Sequence, residues 1–137
     1  MLFQITYIST ARPTLILSDV EGILQISRKR NAIDGVTGLL IFDGKRFLQV
    51  LEGSLEQVET TFSRIAQDPR HRALVRLSGR HVDEREFGHW AMASHIVGPV
   101  MGDGDLARQV DALTETLPDP NLRATLRGFA RVRGATS

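Results

Sequence analysis

The pattern of apolar and polar residues predicts strands at intervals through the first hundred residues. In the first such segment Phe3, Ile5 and Tyr7 share one face, as the side-chain period of a β-strand requires. Two later segments are apolar on both faces, and Asp43-Gly44 between them is a strong hairpin-turn signal. We predict five strands, in the segments LFQITYIS (2–9), GVTGLLIF (35–42), KRFLQVLEG (45–53), ALVRLSGRHV (73–82) and HWAMASHIV (89–97).

Two capping boxes predict helices between these strands. Ser18 with Glu21 begins a helix that runs to about Asn31. Ser54 with Gln57 begins a second helix, which Asp68-Pro69 ends. The inward-facing apolar stripes are Val20, Ile23 and Leu24 in the first helix, and Leu55, Val58, Phe62 and Ile65 in the second.

The element order βαββαββ predicts a ferredoxin-like α+β domain, with two helices on one face of the sheet. Because the hairpin strands are apolar on both faces, the other face needs its own cover. We predict residues 1–97 as the domain and 98–137 as a linker and C-terminal helical cap. The cap carries one stripe of Leu106, Val110, Leu113 and Leu117, and a second helix from Asp119-Pro120 with Leu122, Leu126 and Phe129.

Composition narrows the class of protein. A length of 137 residues suits one domain, and a net charge of +1 gives no general attraction to nucleic acid or membrane. The absence of cysteine excludes thiol catalysis, disulfides and cysteine metal sites, and the four histidines lack metal-pair spacing. With no membrane span or signal-peptide pattern, we expect a soluble cytoplasmic protein.

Gln49 is the residue that fits a plain core least well. Its amide lies between Phe47 and Leu51 on one apolar strand face. A buried amide without a partner costs about 1–3 kcal/mol, and two donors with two acceptors exceed what one tyrosine hydroxyl satisfies. A flat ligand edge with a carbonyl oxygen and a ring nitrogen, such as an isoalloxazine, would satisfy it between the two helices.

Four further residues admit two interpretations each. Tyr7, Asn31, Trp90 and Met92 all lie on or near the helix side of the predicted sheet. Each has an ordinary structural explanation: a ring with a wet hydroxyl, a helix end, or core filling. Together with Gln49 they are also a candidate ligand site.

Five motifs occur in one order: TYIS, RNAIDGVTGLL, FLQVLEG, DPRH and REFGHWAM. In this the chain resembles the BLUF family, blue-light sensors that use flavin adenine dinucleotide (FAD), over residues 1 to about 97. The C-terminal helices resemble the extension of short stand-alone members.

The resemblance implies a role for each matching residue. Tyr7 takes the place of the photochemical electron donor, Gln49 of the switching glutamine and Asn31 of the asparagine at the ring edge. Trp90 and Met92 match the pair that passes the signal on. The remaining expected cofactor contacts are Ser27, Arg30, Asp68, Arg70 and His71 at the polar edge or phosphate tail, with Ile23 and Ile65 on the helices. Cations at helix C-termini, such as Arg30, also interact favourably with the helix dipole, so a purely structural role stays open.

The implied mechanism is a hydrogen-bond switch without enzymatic activity. Excited flavin draws an electron from Tyr7, a proton follows through Gln49, and recombination leaves Gln49 rotated or tautomerised with the absorption shifted to the red. We expect output to an unidentified downstream protein, a homo-oligomer, and no direct contact with membrane or nucleic acid.

Competing interpretations share the fold. One is a ferredoxin-like ligand-binding or protein-interaction module without photochemistry, which leaves Gln49 unexplained. An acylphosphatase-like hydrolase would need a phosphate-cradling loop, and a sheet-surface RNA binder would need exposed aromatics; the sequence offers neither.

Overall fold

A computed structural model describes residues 2–11, 25, 29–30, 32–42, 45–68, 71–87, 110–112, 114–115 and 117–136. Side chains of residues 11, 71, 72 and 130–136 are not described. The elements are β1 (Leu2–Ala11), β2 (Thr37–Phe42), β3 (Arg46–Ser54), α1 (Leu55–Ala66), β4 (His71–Val82) and α2 (Pro120–Thr136). Residues 25, 29–30, 32–34, 110–112 and 114 are also helical.

The four strands form one antiparallel sheet in the order β2-β3-β1-β4. This is the strand order of a ferredoxin-like sheet, so the α+β prediction is confirmed. Gly38 allows β2 to approach β3 closely, because a Cβ there would lie 1.9 Å from the Val50 carbonyl oxygen. The strand predicted at 89–97 lies outside the described residues.

The bounds of α1 follow its predicted cap, with one correction there and one at the preceding helix, whose predicted cap of Ser18 with Glu21 lies outside the described residues. The Ser54 hydroxyl accepts the Gln57 amide at 3.3 Å, and α1 ends at Ala66, just before Asp68-Pro69. Leu55 is 45 % exposed, so its predicted inward position was wrong: it begins α1 beyond the last β1–β3 pair, at the rim of the sheet. Helical residues at 32–34 extend past the predicted end near Asn31, and Gly35 follows them with φ +70°.

The two faces of the sheet carry separate cores. On the α1 face, Ile5, Tyr7 and Leu51 pack with Val58 of α1. The opposite face, which we call the cap face, carries Leu39, Ile41, Leu48 and Val50 under Val110, Leu117, Leu122, Leu126 and Phe129 of the C-terminal segment.

This packing confirms that C-terminal helices cover the second face, as the two-sided hydrophobicity of the hairpin predicted. Leu106 and Leu113 of the predicted stripe lie outside the described residues, and the boundary at residue 97 stays a prediction. None of the helices within the described ranges has the length and apolarity needed to cross a membrane.

Candidate functional site

The centre of the site is a buried tyrosine–glutamine pair. Antiparallel pairing of β1 with β3 sets Tyr7 directly opposite Gln49, so both side chains lie on the α1 face. They are 2 % and 6 % exposed, and the Tyr7 hydroxyl donates a hydrogen bond to Gln49 Oε1. The Tyr7 ring packs edge-to-face with the ring of Phe62 of α1, with 5.4 Å between the ring centroids. The predicted orientation of Gln49 toward the helices is therefore observed.

The surroundings of Tyr7 hold its hydroxyl in the neutral form. Burial raises the pKa of Tyr7 well above its usual value, and the negative charge of Asp68 raises it further. Asp68 follows the end of α1, where its amide donates to the Ile65 carbonyl at 3.0 Å. Tyr7 can therefore donate its hydrogen bond across the whole physiological pH range.

Two further buried polar atoms on this side have no hydrogen-bond partner among the residues that the structure describes. Ser9 is two residues beyond Tyr7 on the same strand face, and Thr61 lies on α1 between Val58 and Ile65. Both are nearly inaccessible, and Ser9 Oγ and Thr61 Oγ1 form no hydrogen bond. Such orphaned hydroxyls cost about 1–3 kcal/mol each and indicate a missing water or ligand. They fit a heteroatom-bearing ring such as flavin beside Tyr7 and Gln49.

Two positive charges, Arg64 in the last turn of α1 and Arg30 of the preceding helical segment, lie near each other. Partial burial lowers the pKa of Arg64, and the nearby charge of Arg30 lowers it further, while Asp34 opposes this shift. Two guanidinium groups close enough to repel each other would gain from an anion such as a phosphate placed near both.

The described residues bring together only part of the predicted site. Tyr7, Gln49 and a half-buried Ile65 share the α1 face, and Asp68 acts on Tyr7 through its charge. Arg30 is exposed and near Arg64 instead. The predicted residues outside the described part are Ile23, Ser27, Asn31, Arg70, Trp90 and Met92, together with the side chain of His71.

Sequence reasoning missed Ser9, Thr61 and Arg64. A signal existed for the two hydroxyls, since Ser9 has the parity of Tyr7 and Thr61 interrupts the inward apolar stripe of α1. No signal in the sequence pairs Arg64 with Arg30, because that proximity depends on how two helical segments lie on the sheet.

The buried Tyr7–Gln49 pair beneath α1 is compatible with the flavin site that the sequence predicted, and comparison with known proteins identifies the family. Residues 2–93 match the family described as BLUF, sensors of blue-light using FAD. The chain belongs to the BLUF family, and it is a blue-light sensor that uses flavin.

Two curated relatives carry the same domain within longer proteins. The chain is 38% identical over 92 residues to the blue light- and temperature-regulated antirepressor BluF of Escherichia coli (strain K12), covering 67% of this chain and 23% of that protein. It is 33% identical over 94 residues to photoactivated adenylate cyclase subunit beta of Euglena gracilis, covering 68% of this chain and 11% of that one. The chain thus spans less than a quarter of either relative.

Solved structures agree with the fold. BlrB, a BLUF protein in its dark state, superposes with a TM-score of 0.73 at 27% identity, with 99% of this chain and 97% of that one covered. Klebsiella pneumoniae BlrP1, solved with FMN and cyclic diGMP, gives a TM-score of 0.80 at 29% identity, covering 96% and 35%.

Proposed function

We propose that this chain binds FAD non-covalently against the α1 face and uses Tyr7 and Gln49 as a light-driven hydrogen-bond switch. One observation carries the proposal: a hydrogen-bonded Tyr7–Gln49 pair is buried on the same side as two hydroxyls that no described residue satisfies. A protein that binds nothing there would bear the cost of both orphaned groups.

Tyr7 has the protonation state that such a switch needs. Because its pKa is raised, the hydroxyl keeps its proton in the dark and donates a hydrogen bond to Gln49. Bound flavin would supply the light absorption and a site for one electron from Tyr7. An oxidised phenol is a far stronger acid, so loss of that electron would drive the Tyr7 proton toward Gln49.

The Gln49 carboxamide can retain a changed hydrogen-bond pattern after the electron has returned. In the dark its oxygen is occupied by Tyr7, which leaves its NH₂ group as a donor for a ligand. A half-turn of the carboxamide exchanges donor and acceptor positions without breaking a covalent bond. The hydrogen-bond pattern at the flavin edge would then differ between dark and light states of equal composition.

The other site residues belong to this proposal by their positions in the motifs. Asn31 would fix the ring edge, Ile23 and Ile65 would contact the ring, and Trp90 and Met92 would pass the signal on. The expected contacts to the polar edge and phosphates are Ser27, Arg30, Asp68, Arg70 and His71.

FAD, rather than a smaller flavin, is the cofactor we propose. The family description names FAD, although one related structure holds FMN. Clustered Arg30 and Arg64 support a phosphate-bearing tail near α1.

Titrating flavin-free protein with FAD, FMN and riboflavin separates these choices. We expect Arg64→Ala to weaken FAD binding by about two- to fivefold, the range for partly exposed charge pairs, and to leave the affinity for riboflavin unchanged. Equal weakening of all three would remove Arg64 from phosphate binding.

The output we propose is a contact with a separate protein, made by a homo-oligomer without catalysis of its own. Support comes from relatives in which the same domain belongs to an antirepressor or to cyclase subunits. Light would then change which surface the oligomer offers to its partner.

A light-minus-dark absorption spectrum tests the switch. We expect the flavin-loaded protein to shift its absorption to the red under blue light and to recover in darkness. Gln49→Ala should bind flavin and show no shift, while the matched control Gln25→Ala, at an exposed position, should behave as wild type. A normal red shift in Gln49→Ala would contradict the proposal.

A further inference from the structure

A row of polar side chains crosses the cap face of the sheet from edge to edge. Strand pairing aligns Thr37 of β2, Glu52 of β3, Gln4 of β1 and Arg80 of β4 in one line. Glu52 is 0 % exposed, so its carboxylate depends entirely on protein donors.

Four donors converge on that carboxylate. Two come from the row itself: Gln4 Nε2 donates to Glu52 Oε2 at 3.0 Å and the Thr37 hydroxyl to Oε1 at 3.1 Å. Two come from the backbone beyond β4, where the Glu86 amide donates to Oε2 at 2.8 Å and the Phe87 amide to Oε1 at 3.0 Å. Each oxygen therefore holds one strand donor and one amide of the segment after β4.

This arrangement fixes residues 85–87 to β3. Phe87 is fully buried in the core of the cap face. Arg85 adds a second attachment, since it donates to the Thr37 hydroxyl at 2.9 Å and to the Gly35 carbonyl at 2.8 Å. In the sequence, Trp90 follows Phe87 by three residues.

Arg80 extends the network to the C-terminal helix. Its guanidinium donates to Glu86 Oε1 at 2.8 Å and to Gln4 Oε1 at 3.2 Å, and it lies 3.7 Å from Asp119 Oδ2. The same Asp119 oxygen accepts the Leu122 amide at 2.8 Å and so caps the first turn of α2. An unbroken series of polar contacts thus joins Glu52 to the beginning of α2.

We propose that Glu52 is a positioning residue that couples β3 to the 85–87 segment and, through Arg80, to α2. Gln49 and Glu52 are three residues apart on β3 and face opposite sides, so a displacement of the strand at Gln49 moves both. Because Glu52 binds backbone amides directly, the 85–87 segment follows β3 without the slack of an intervening side chain. This proposal rests on the proposed photochemistry. The Glu52 contacts are the route by which the change at Gln49 would reach α2.

Glu52→Gln tests the coupling with almost no change in shape. The substitution turns one acceptor oxygen into an NH₂ group, which then faces two donors, one of them an amide of the segment. We expect flavin binding and the red shift to persist. Amide hydrogen exchange of Glu86 and Phe87 should become about tenfold faster or more, and the light-dependent exchange change in α2 should disappear. Glu84→Gln, exposed and two residues from Glu86, is the matched control and should retain the wild-type response.

A second variant protects the test if Glu52→Gln does not fold. Arg80→Gln removes the link to Asp119 and leaves the Glu52–amide bonds in place. We expect it to retain the red shift and protected Glu86 and Phe87 amides, with a diminished light response in α2.

Three results would overturn the coupling. Glu52→Gln could keep the α2 light response, Arg80→Gln could keep it in full, or the wild type could redden without any exchange change in α2. Failure of the photochemistry itself would look different, because the wild type would then show no red shift.

Discussion

The two faces of this sheet differ in whether their buried polar groups are hydrogen-bonded. On the cap face, Glu52 accepts four hydrogen bonds, and Gln4 and Arg80 each bond to their neighbours. On the α1 face, Ser9 Oγ and Thr61 Oγ1 have no hydrogen-bond partner within the described part of the chain. A satisfied network costs little and holds its elements in place, whereas orphaned groups indicate that a partner has yet to be added. The cap-face network therefore holds its elements together, and the unsatisfied hydroxyls support our proposal that the α1 face binds flavin.

The largest effect should come from Tyr7→Phe. Loss of the hydroxyl removes both the electron-donating phenol and the proton that would reach Gln49, and it keeps the ring that packs against Phe62. We expect flavin binding within about threefold of wild type and no red shift under blue light, measured by absorption. Normal reddening of the variant would exclude Tyr7 as the donor.

Glu52→Gln should cost stability because it breaks a satisfied network. Two of the four donors lose their acceptor, so we expect the free energy of unfolding to fall by about 1–3 kcal/mol in urea titrations of flavin-free protein. Glu84→Gln should change it by less than about 0.5 kcal/mol. Equal effects of the two substitutions would mean that the cap-face network does not contribute to the free energy of unfolding.

Alkaline pH offers a test of Tyr7 burial. Its folded pKa lies above the ordinary value of 10.0. Above that pH the unfolded chain loses a proton that the folded protein keeps, so the free energy of unfolding should fall with rising pH by up to about 1.4 kcal/mol per unit.

Tyr7 is the only tyrosine, so Tyr7→Phe isolates this contribution. The difference in stability between wild type and variant should be constant below pH 10 and shrink above it. A difference that does not change with pH would place the hydroxyl in water.

Thr61→Val should act in the opposite sense to Glu52→Gln. It replaces an orphaned hydroxyl by a methyl of nearly the same shape, so flavin-free protein should be unchanged or more stable by up to about 1 kcal/mol. If the hydroxyl serves the ligand, flavin affinity should fall by about threefold to tenfold. Ser63→Ala, exposed on the same helix, is the control. A destabilised flavin-free Thr61→Val with unchanged affinity would contradict the assignment of this face.

Much of the fold was predictable because its signals are local. Strand alternation, the Ser54 cap and the apolar stripe of Leu122, Leu126 and Phe129 each depend on neighbours in the sequence. The two-sided hydrophobicity of the hairpin required a cap, and the C-terminal segment supplies it. The placement of Gln49 follows from strand parity alone.

The rest depends on register between distant segments. Glu52 could not be matched with the Glu86 and Phe87 amides from sequence, since they are more than thirty residues away and meet it only after β4 has paired with β1. The same is true of Arg64 beside Arg30. Leu55 was misplaced because periodicity does not say where a helix leaves the edge of the sheet.

A light-minus-dark infrared difference spectrum of FAD-loaded protein with ¹³C-labelled glutamine carboxamides measures whether the Gln49 carboxamide responds to bound flavin. We predict an isotope-sensitive carboxamide band that changes on illumination and is absent from Gln49→Ala. A flavin carbonyl band that shifts while every glutamine band stays constant would contradict it.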